Sequence, residues 1–351
     1  MSTMDACVLE EWNGSLSIDT VAEPEPGPGE VRVDVRACGV TRTIENAIGG
    51  GLSDDPALTP RILGHEFAGV VDAVGDGVDG CEPGDRVLAY FYLTCGECAP
   101  CRRGETNRCT AFDGWYGVHR DGAYAEKAVL PAENALPLPD GATYAEGAIA
   151  ADGLATPLHV CRRAAVDDTD TVLVIGAAGR VGVHLSQLAA RRGARVLAAD
   201  VVDDRLEHVD AVTDGAVRPV DVRGDPDDVA RRVREAAGGE RNGPSVVVDT
   251  VGDVETLRAG WDALGMGGRV VSLTTHHERA FGPLLREFVE KEAAVLGSRY
   301  ATKDEVVRAA ELLADGRISP VVTERVGLED VPDVHERIRS GESHGMVVLE
   351  P

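Results

Sequence analysis

The spacing of hydrophobic and polar residues changes near residue 145. Before that point, short segments alternate between the two classes, as in "EVRVDVRACGV" at residues 30–40, and Pro/Gly clusters such as "EPEPGPGE" separate them. Such alternation is typical of half-buried strands, and clustered Pro and Gly disfavour helix. "FAGVVDAVG" and "DRVLAYFY" are further predicted strands. The first part of the chain is therefore predicted to be rich in β-strands.

Beyond residue 145, strands and helices alternate. "AEGAIAADGLATPLHVCRRAAV" has helical spacing, "TVLVIGAAG" predicts a buried strand entering a Gly-rich turn, and "RVGVHLSQLAARRG" predicts an amphipathic helix. "ARVLAAD", "GPSVVVDTVG" and "GGRVVSLTT" predict later strands, "KDEVVRAAELLADG" a helix and "HGMVVLEP" a final strand. Apolar strands that alternate with helices are typical of a parallel sheet covered on both faces. The predicted fold class is α/β.

Composition constrains the partners and the location. The chain has 351 residues, enough for two domains, and 60 acidic against 35 basic residues give a formal charge of −25. That charge repels nucleic acid and anionic membranes, so neither is an expected partner. Dispersed acidic residues, with lysine only at Lys127, Lys291 and Lys303, are typical of a halophilic protein. With no signal pattern and no membrane-spanning apolar run, we expect a cytoplasmic protein.

Four of the eight cysteines lie in one short segment, "CGECAPCRRGETNRC". They are Cys95, Cys98, Cys101 and Cys109. Four thiolates at this spacing can close a tetrahedral shell around Zn²⁺, and an iron–sulfur cluster could use similar spacing. Because protein ligands would fill the whole shell, the predicted metal site is structural rather than catalytic.

The segment "VLVIGAAGRVGVHLSQLAA" has the strand, Gly-rich turn and helix of a dinucleotide site. Gly176, Gly179 and Gly182 would permit the tight turn, the approach of pyrophosphate and the helix–strand contact. The first helical amides, at Arg180 and Val181, would meet the phosphates.

The end of the next predicted strand bears on the choice of cofactor. Asp200 lies about twenty residues beyond the turn, where its carboxylate can accept hydrogen bonds from both ribose hydroxyls. The same carboxylate would repel a 2′-phosphate, which favours NAD over NADP. Arg205 keeps NADP open as the alternative, because it could accommodate that phosphate.

The segment "LGHEFAGVVDAVGDGVDG" places His65 beside Glu66 at a predicted strand entrance. Taken alone, it favours a packing role. Together with "GDRV" at 84–87, the four-cysteine loop, "DGAYAE" at 121–126, the Gly-rich turn, "GRISPVV" and "RSGE", it resembles the zinc-type medium-chain alcohol dehydrogenase/reductase family.

The resemblance covers essentially the whole chain and implies its organisation. It implies a GroES-like catalytic domain at 1–151 and 299–351 and a Rossmann cofactor domain at 152–298. An active-site cleft would lie between them, and the subunits would form homodimers or homotetramers.

The resemblance also implies a catalytic zinc site. His65 and Asp152 match zinc ligands, and Glu66 matches an alternate ligand. Thr41 stands where the family usually has a Cys or Asp ligand, and a neutral hydroxyl is a poor zinc ligand. Ile44 replaces an Asp that would usually hold the ligand histidine in place.

Two further positions match the family. Thr43 matches the hydroxyl that hands on the substrate proton, and Arg42 a residue that meets the cofactor pyrophosphate. The implied activity is an NAD(P)-dependent alcohol dehydrogenase acting on a small-molecule alcohol or carbonyl. Zinc would favour an alkoxide, from which a hydride passes to nicotinamide.

Two alternatives stay open. The first is a zinc-independent quinone or enone reductase with only the structural zinc, in which Tyr116, His119 and His159 could line the cleft or donate a proton. The second is a non-catalytic cofactor-binding protein. His276 and His277 follow a predicted strand of the cofactor domain, where side chains can face the nicotinamide.

Overall fold

A computed structural model describes residues 2–238, 242–275, 279–343 and 345–351, with only the backbone of Asp203 and Asp204 described. The chain forms two compact units, one of residues 1–155 and 301–351 and one of residues 156–300. In the part of the chain that is described, no helix is long and apolar enough to cross a membrane.

The first 155 residues supply most of the β-rich unit. Their strands are β1 (Thr3–Leu9), β2 (Leu16–Ala22), β3 (Glu30–Val40), β4 (Arg61–Ile62), β5 (Phe67–Val74), β6 (Arg86–Ala89), β7 (Lys127–Pro131) and β8 (Ala135–Pro137). Their helices are α1 (Arg42–Ile48), α2 (Ala99–Arg102) and α3 (Tyr144–Ile149), with 3-10 turns at Pro56–Leu58, Thr106–Arg108 and Ala132–Asn134. A π-helical turn, Ala150–Leu154, joins α3 to α4 (Ala155–Arg163). In β3, Val31, Val33 and Val35 are buried and alternate with half-buried polar residues, as the sequence pattern predicts.

Residues 156–300 form a parallel sheet with helices between its strands. The elements are β9 (Thr171–Ile175), α5 (Arg180–Arg191), β10 (Arg195–Asp200), α6 (Asp203–Val212), β11 (Val217–Asp221), α7 (Pro226–Ala237), β12 (Val246–Asp249), α8 (Val254–Ala263), β13 (Arg269–Ser272), α9 (Leu285–Lys291) and β14 (Ala294–Gly297). The strand order is β11-β10-β9-β12-β13-β14, and every adjacent pair is parallel. The core includes Leu173, Leu197, Val247 and Trp261, each at most 1% exposed. The predicted α/β class is confirmed by this sheet and its helices.

Residues 301–351 complete the β-rich unit. They contain α10 (Lys303–Ala314), β15 (Val322–Val326), a 3-10 turn at Leu328–Asp330, α11 (Val331–Ser340) and β16 (Met346–Leu349). The larger sheet has the order β15-β16-β3-β5-β6-β8, with β7 also paired to β3, and a smaller sheet has the order β2-β1-β4. Strand β16 runs antiparallel to β3, opposite Cys38, Gly39 and Val40. The late segment therefore holds the strand that leads into α1.

The strand predicted over "DRVLAYFY" is shorter than the pattern indicates. It ends at Ala89, although Tyr90, Phe91 and Tyr92 are all buried. The Tyr90 amide instead donates to the Asn134 carbonyl at 2.9 Å. The apolar pattern thus predicts burial correctly here but overextends the strand, because the chain turns to other backbone partners.

Candidate metal and cofactor sites

The four-cysteine loop brings its sulfur atoms into one cluster. The Sγ atoms of Cys95, Cys98, Cys101 and Cys109 all lie within 4.8 Å of one another. Cys109 Sγ is 3.6 Å from Cys95 Sγ and 3.9 Å from Cys98 Sγ. A tetrahedral zinc with bonds of about 2.3 Å holds its sulfurs about 3.8 Å apart, so the cluster fits zinc.

Backbone amides complete the environment of this loop. The N–H of Cys98 donates to Cys95 Sγ at 3.3 Å, and the N–H of Cys95 donates to Cys109 Sγ at 3.4 Å. Hydrogen bonds from the backbone of Cys101 and Thr110 lower the pKa of the Cys98 thiol. At Cys98 this favours thiolate, the form that binds zinc, whereas burial raises the pKa of the Cys101 thiol to about 12. The cluster is a four-cysteine site of the structural zinc type.

A second donor set lies in the same unit. His65, Glu66 and Asp152 each offer a ligand atom within 4.8 Å of the others. His65 Nε2 is 3.4 Å from Glu66 Oε1 and 3.8 Å from Asp152 Oδ2. The three residues are 1%, 0% and 8% exposed. The structure thus brings together the imidazole and the two carboxylates that the sequence singled out.

Local backbone geometry aims these side chains. Gly64, before His65, has φ +93°, and a Cβ there would lie 2.4 Å from the Tyr124 ring. Asp152 sits inside the π-helical turn, which widens the helix and changes the direction of the side chains it carries. Such turns occur often at functional sites. Phe91 packs edge-on against the His65 imidazole, with ring centroids 4.5 Å apart.

The donor set fits a catalytic zinc. One imidazole and two carboxylates are zinc ligands, and three protein ligands leave a coordination position for water or substrate. A divalent cation held by these donors would add positive charge beside the two buried carboxylates, which favours their ionised, metal-binding form.

The segment that follows β3 carries four of the positions predicted from the family. Thr41 is 2% exposed, and its hydroxyl accepts a hydrogen bond from the Ile44 amide at 3.4 Å as the N-cap of α1. Ile44 is fully buried, and Thr43 is half-buried. The Arg42 guanidinium donates to the Ile338 carbonyl of α11 at 2.7 Å. Thr41 therefore has a structural role as a helix cap.

The Gly-rich turn has the close contacts that require glycine. Gly176 has φ +77°, and a Cβ on Gly182 would lie 2.1 Å from the Gly176 carbonyl oxygen. A Cβ on Gly179 would meet only that oxygen, at 3.2 Å, so the other side of Gly179 is open. Arg180 and Val181 form the first turn of α5, where helix amides attract anions. The turn can hold a pyrophosphate.

Asp200, at the end of β10, lies against this turn. One carboxylate oxygen accepts from the Ala178 amide at 3.1 Å, and the other accepts from the Val201 amide at 2.8 Å. The carboxylate is therefore fixed beside the turn that would hold the cofactor. Arg205 follows on α6 and is half-buried.

Three of the residues considered for the zinc-free alternative have described surroundings. Tyr116 is 1% exposed, and burial raises the pKa of its phenol. His119 Nδ1 accepts from the Trp115 amide at 3.2 Å, and His159 is buried on α4. His276 and His277 lie outside the described residues.

Sequence reasoning missed a buried polar chain. The Tyr124 hydroxyl is 3.1 Å from His335 Nε2, and His335 Nδ1 is 3.1 Å from Glu45 Oε2. Arg339 donates to the other Glu45 oxygen at 2.7 Å. One feature of the sequence could have indicated this chain of side chains: a histidine within the apolar face of α11. The buried residues of that helix are Val331, Val334, His335 and Ile338.

Comparison with known proteins supplies the family. Residues 27–140 match the alcohol dehydrogenase GroES-like domain, and residues 215–349 match the zinc-binding dehydrogenase family. The chain is 30% identical to acryloyl-coenzyme A reductase of Metallosphaera sedula over 99% of each chain. It is 31% identical to L-galactonate-5-dehydrogenase of Escherichia coli over 96% of each. The solved structure of a cobalt- and zinc-bound thermostable alcohol dehydrogenase from Pyrobaculum aerophilum matches with a TM-score of 0.86, at 30% identity over 100% of both chains.

These relatives share the fold but differ in their named substrates. The named relatives are all oxidoreductases. Together with the two family matches and the four-cysteine cluster, they identify this protein as a zinc-dependent oxidoreductase that uses NAD(P). The chain belongs to the zinc-containing medium-chain alcohol dehydrogenase family.

Proposed function

We propose that this protein is an NAD-dependent zinc-type alcohol dehydrogenase that interconverts an alcohol and an aldehyde or ketone. The observation that carries the proposal is the convergence of His65, Glu66 and Asp152 in a buried cluster separate from the four cysteines. A catalytic zinc gives the two buried carboxylates and the imidazole a common role as its ligands.

Each of the three donors is proposed to occupy one ligand position at the metal. His65 and Asp152 would bind the ion, and Glu66 would take the ligand position that Thr41, the cap of α1, leaves. Zinc held by these residues would supply Lewis-acid chemistry to the substrate oxygen and lower the pKa of an alcohol. Phe91 shields the His65 side from water, which strengthens electrostatic interactions within the site.

Proton and hydride then leave the substrate by separate routes. Thr43, half-buried at the start of α1, accepts the alcohol proton on its hydroxyl and passes its own proton on. NAD, when bound, would supply its nicotinamide as the hydride acceptor. The chain's contribution to that transfer is to position the two reactants.

The cofactor is held by the Gly-rich turn and Asp200. The amides of Arg180 and Val181 would bind the pyrophosphate past Gly179, and Arg42 would be a further phosphate ligand. Asp200 accepts hydrogen bonds from the adenosine ribose and repels a 2′-phosphate, which favours NAD.

Metal content and turnover test this proposal together. We expect two zinc ions per chain in protein purified without chelator or added zinc, and NAD-dependent oxidation in a panel of primary and secondary alcohols. Cys81→Ser serves as a control, since Cys81 lies outside both donor sets, and it should keep both ions. A single zinc per chain with no alcohol turnover would contradict the proposal.

Reduction of an activated C=C bond is the second candidate. The acryloyl-coenzyme A reductase relative and the role of Thr41 as a helix cap favour it. Reduction of acryloyl-coenzyme A or an enone by NADH or NADPH, unchanged in His65→Gln, would support this reaction instead. Turnover of either class would exclude a non-catalytic binding protein.

We also propose that the protein is a homo-oligomer, a dimer or a tetramer. Strand β14 forms an edge of the parallel sheet among the described residues. On the adjoining helix α9 and the residue before it, Leu284, Leu285 and Val289 are 68%, 85% and 80% exposed. Apolar side chains beside a sheet edge favour covering by another chain. Light scattering coupled to size-exclusion chromatography gives the number of subunits.

A further inference from the structure

The Tyr124–His335–Glu45 chain lies beside the proposed zinc site but contributes no ligand to it. Tyr124 is 0% exposed and His335 2%, while the Glu45 side chain is 11% exposed. Arg339, 59% exposed, closes the outer end of the chain on Glu45. This series of hydrogen-bonded side chains thus runs from the interior of the β-rich unit to its surface.

Each member of the chain belongs to a different segment. The Tyr124 ring packs against Gly64, the residue before His65, and its hydroxyl also lies 3.5 Å from the Gly39 carbonyl at the end of β3. Glu45 lies in α1, and His335 lies in α11. The chain therefore links the His65 segment to the helix that carries Thr43.

Both imidazole nitrogens of His335 lie within hydrogen-bond distance of a partner. Nε2 faces the Tyr124 hydroxyl, Nδ1 faces one Glu45 carboxylate oxygen, and Arg339 donates to the second oxygen. Because an ionised carboxylate can only accept, Nδ1 is the donor in the contact with Glu45. Burial raises the pKa of Glu45, but hydrogen bonds from His335 and Arg339 more than offset this, so the net pKa is lowered. The carboxylate therefore stays ionised near neutral pH, which strengthens the bond from His335.

Helix α1 depends on these contacts because it is short. It spans Arg42–Ile48, and helices of this length are not stable by themselves in water. Among the described residues, Arg42 also ties α1 to α11, through its contact with the Ile338 carbonyl. If Arg42 turns to the cofactor, as proposed above, that tie is lost and Glu45 remains.

We propose that the Tyr124–His335–Glu45 chain positions α1, and with it the Thr43 hydroxyl, relative to His65. Its three members are positioning residues, since none of them belongs to either donor set or to the residues proposed to hold the cofactor. The inference rests on the proposed function for the role of Thr43. The positioning of α1 by the hydrogen-bonded chain is tested independently of turnover.

Tyr124→Phe removes one hydroxyl and keeps the ring against Gly64. We expect amide hydrogen exchange in residues 41–48 to speed up about fivefold to tenfold, as expected for one lost buried hydrogen bond. We expect kcat for alcohol oxidation to fall by a similar factor, with KM for NAD and two zinc ions per chain unchanged. Glu45→Gln, which still accepts from His335, should lose less activity than Glu45→Ala.

Tyr90→Phe is the matched control. Tyr90 is also fully buried, and its hydroxyl hydrogen-bonds to Thr106 and to the Ala301 carbonyl, away from α1. It should lower the melting temperature about as much as Tyr124→Phe while leaving kcat and exchange in residues 41–48 at wild-type values.

Two results would overturn the inference. One is unchanged exchange in residues 41–48 of Tyr124→Phe. The other is an equal loss of kcat in both tyrosine variants, which would indicate general destabilisation. If the wild-type protein turns over no alcohol, the proposed function fails, and the exchange measurement still decides whether the chain holds α1.

Discussion

The four-cysteine loop and the His65 donor set draw their ligands from the chain in different ways. The loop takes its ligands from residues 95–109, and little outside the loop is needed to bring them together. The second set joins His65 and Glu66, just before β5, to Asp152 in a π-helical turn. The metal should therefore organise the loop, whereas the surrounding fold organises the second set. Substitution of ligands should separate the two effects.

Loss of the loop ligands should have the largest effect. Cys98→Ser with Cys109→Ser removes two sulfur ligands, and binding of a structural zinc contributes directly to folding. We expect the unfolding free energy to fall by about 4 kcal/mol or more, with loss of one zinc per chain. Chemical denaturation and metal analysis measure both. Cys81→Ser is the control, and a double variant as stable as that control would contradict the comparison.

His65→Gln should affect activity far more than stability. Glu66 just before β5 and Asp152 in the π-helical turn keep their backbone positions without the histidine. The glutamine amide can also donate a hydrogen bond to a buried carboxylate, so we expect the melting temperature to change by only a few degrees. The second zinc should be lost, and kcat/KM should fall about 10³-fold, since a Lewis acid contributes several kcal/mol. Thermal denaturation, metal analysis and steady-state kinetics measure the three quantities. A drop in stability as large as in the cysteine variant would show that this site, too, is organised by its metal.

Substitution of Thr41 sharpens the contrast at one position. Thr41→Ala removes the N-cap of α1 and should lower the unfolding free energy by about 1 kcal/mol with zinc retained. Thr41→Asp keeps a capping oxygen and adds a carboxylate, so it should recover that stability. Chemical denaturation and chelator titration measure the two properties. If Thr41→Ala instead loses a zinc ion, Thr41 is a metal ligand rather than only a cap.

The smallest expected effect concerns the ion pair between Asp170 and Arg269, which lies outside both donor sets. Burial raises the pKa of Asp170, but hydrogen bonds from Arg269 and Ser245 more than offset this and lower it below its ordinary value of 3.8. The ionised Asp170 carboxylate and its partners therefore stabilise the folded protein at pH values above 3.8. This stabilisation is lost as the pH falls through the lowered pKa that Asp170 has in the folded state. Asp170→Asn should be less stable than wild type near pH 7 and equally stable once the pH is below the folded value. Urea denaturation across pH gives the difference, and a constant gap down to low pH would contradict this assignment.

The same contrast between local and assembled sites limits what the sequence can predict. The cysteine loop and the Gly-rich turn are readable because spacing within a short segment dictates their geometry, as the contacts of Gly176 and Gly182 illustrate. The pattern also predicts the alternating burial of β3 and the amphipathic α5. These features depend on neighbours in sequence.

Features that depend on distant neighbours were not predicted. His335 meets Tyr124 and Glu45 across 211 and 290 residues, and no local pattern encodes either contact. The π-helical turn that carries Asp152 keeps ordinary helical spacing in the sequence, so its change of register is visible only in three dimensions. The end of β6 at Ala89 likewise depends on the backbone of Asn134.

The place of β16 in the larger sheet has a consequence during synthesis on the ribosome. Strand β3 lies between β5 and β16, and β16 follows all of residues 156–300 in the chain. The continuous second unit can therefore fold before the first is complete, since domains generally fold as units during translation. Until β16 emerges, one edge of β3 lacks its final partner, and α11 is not yet in place to hold α1. A chaperone that covers exposed strand edges would have its longest opportunity on this half of the protein, long after residues 1–155 have been synthesised.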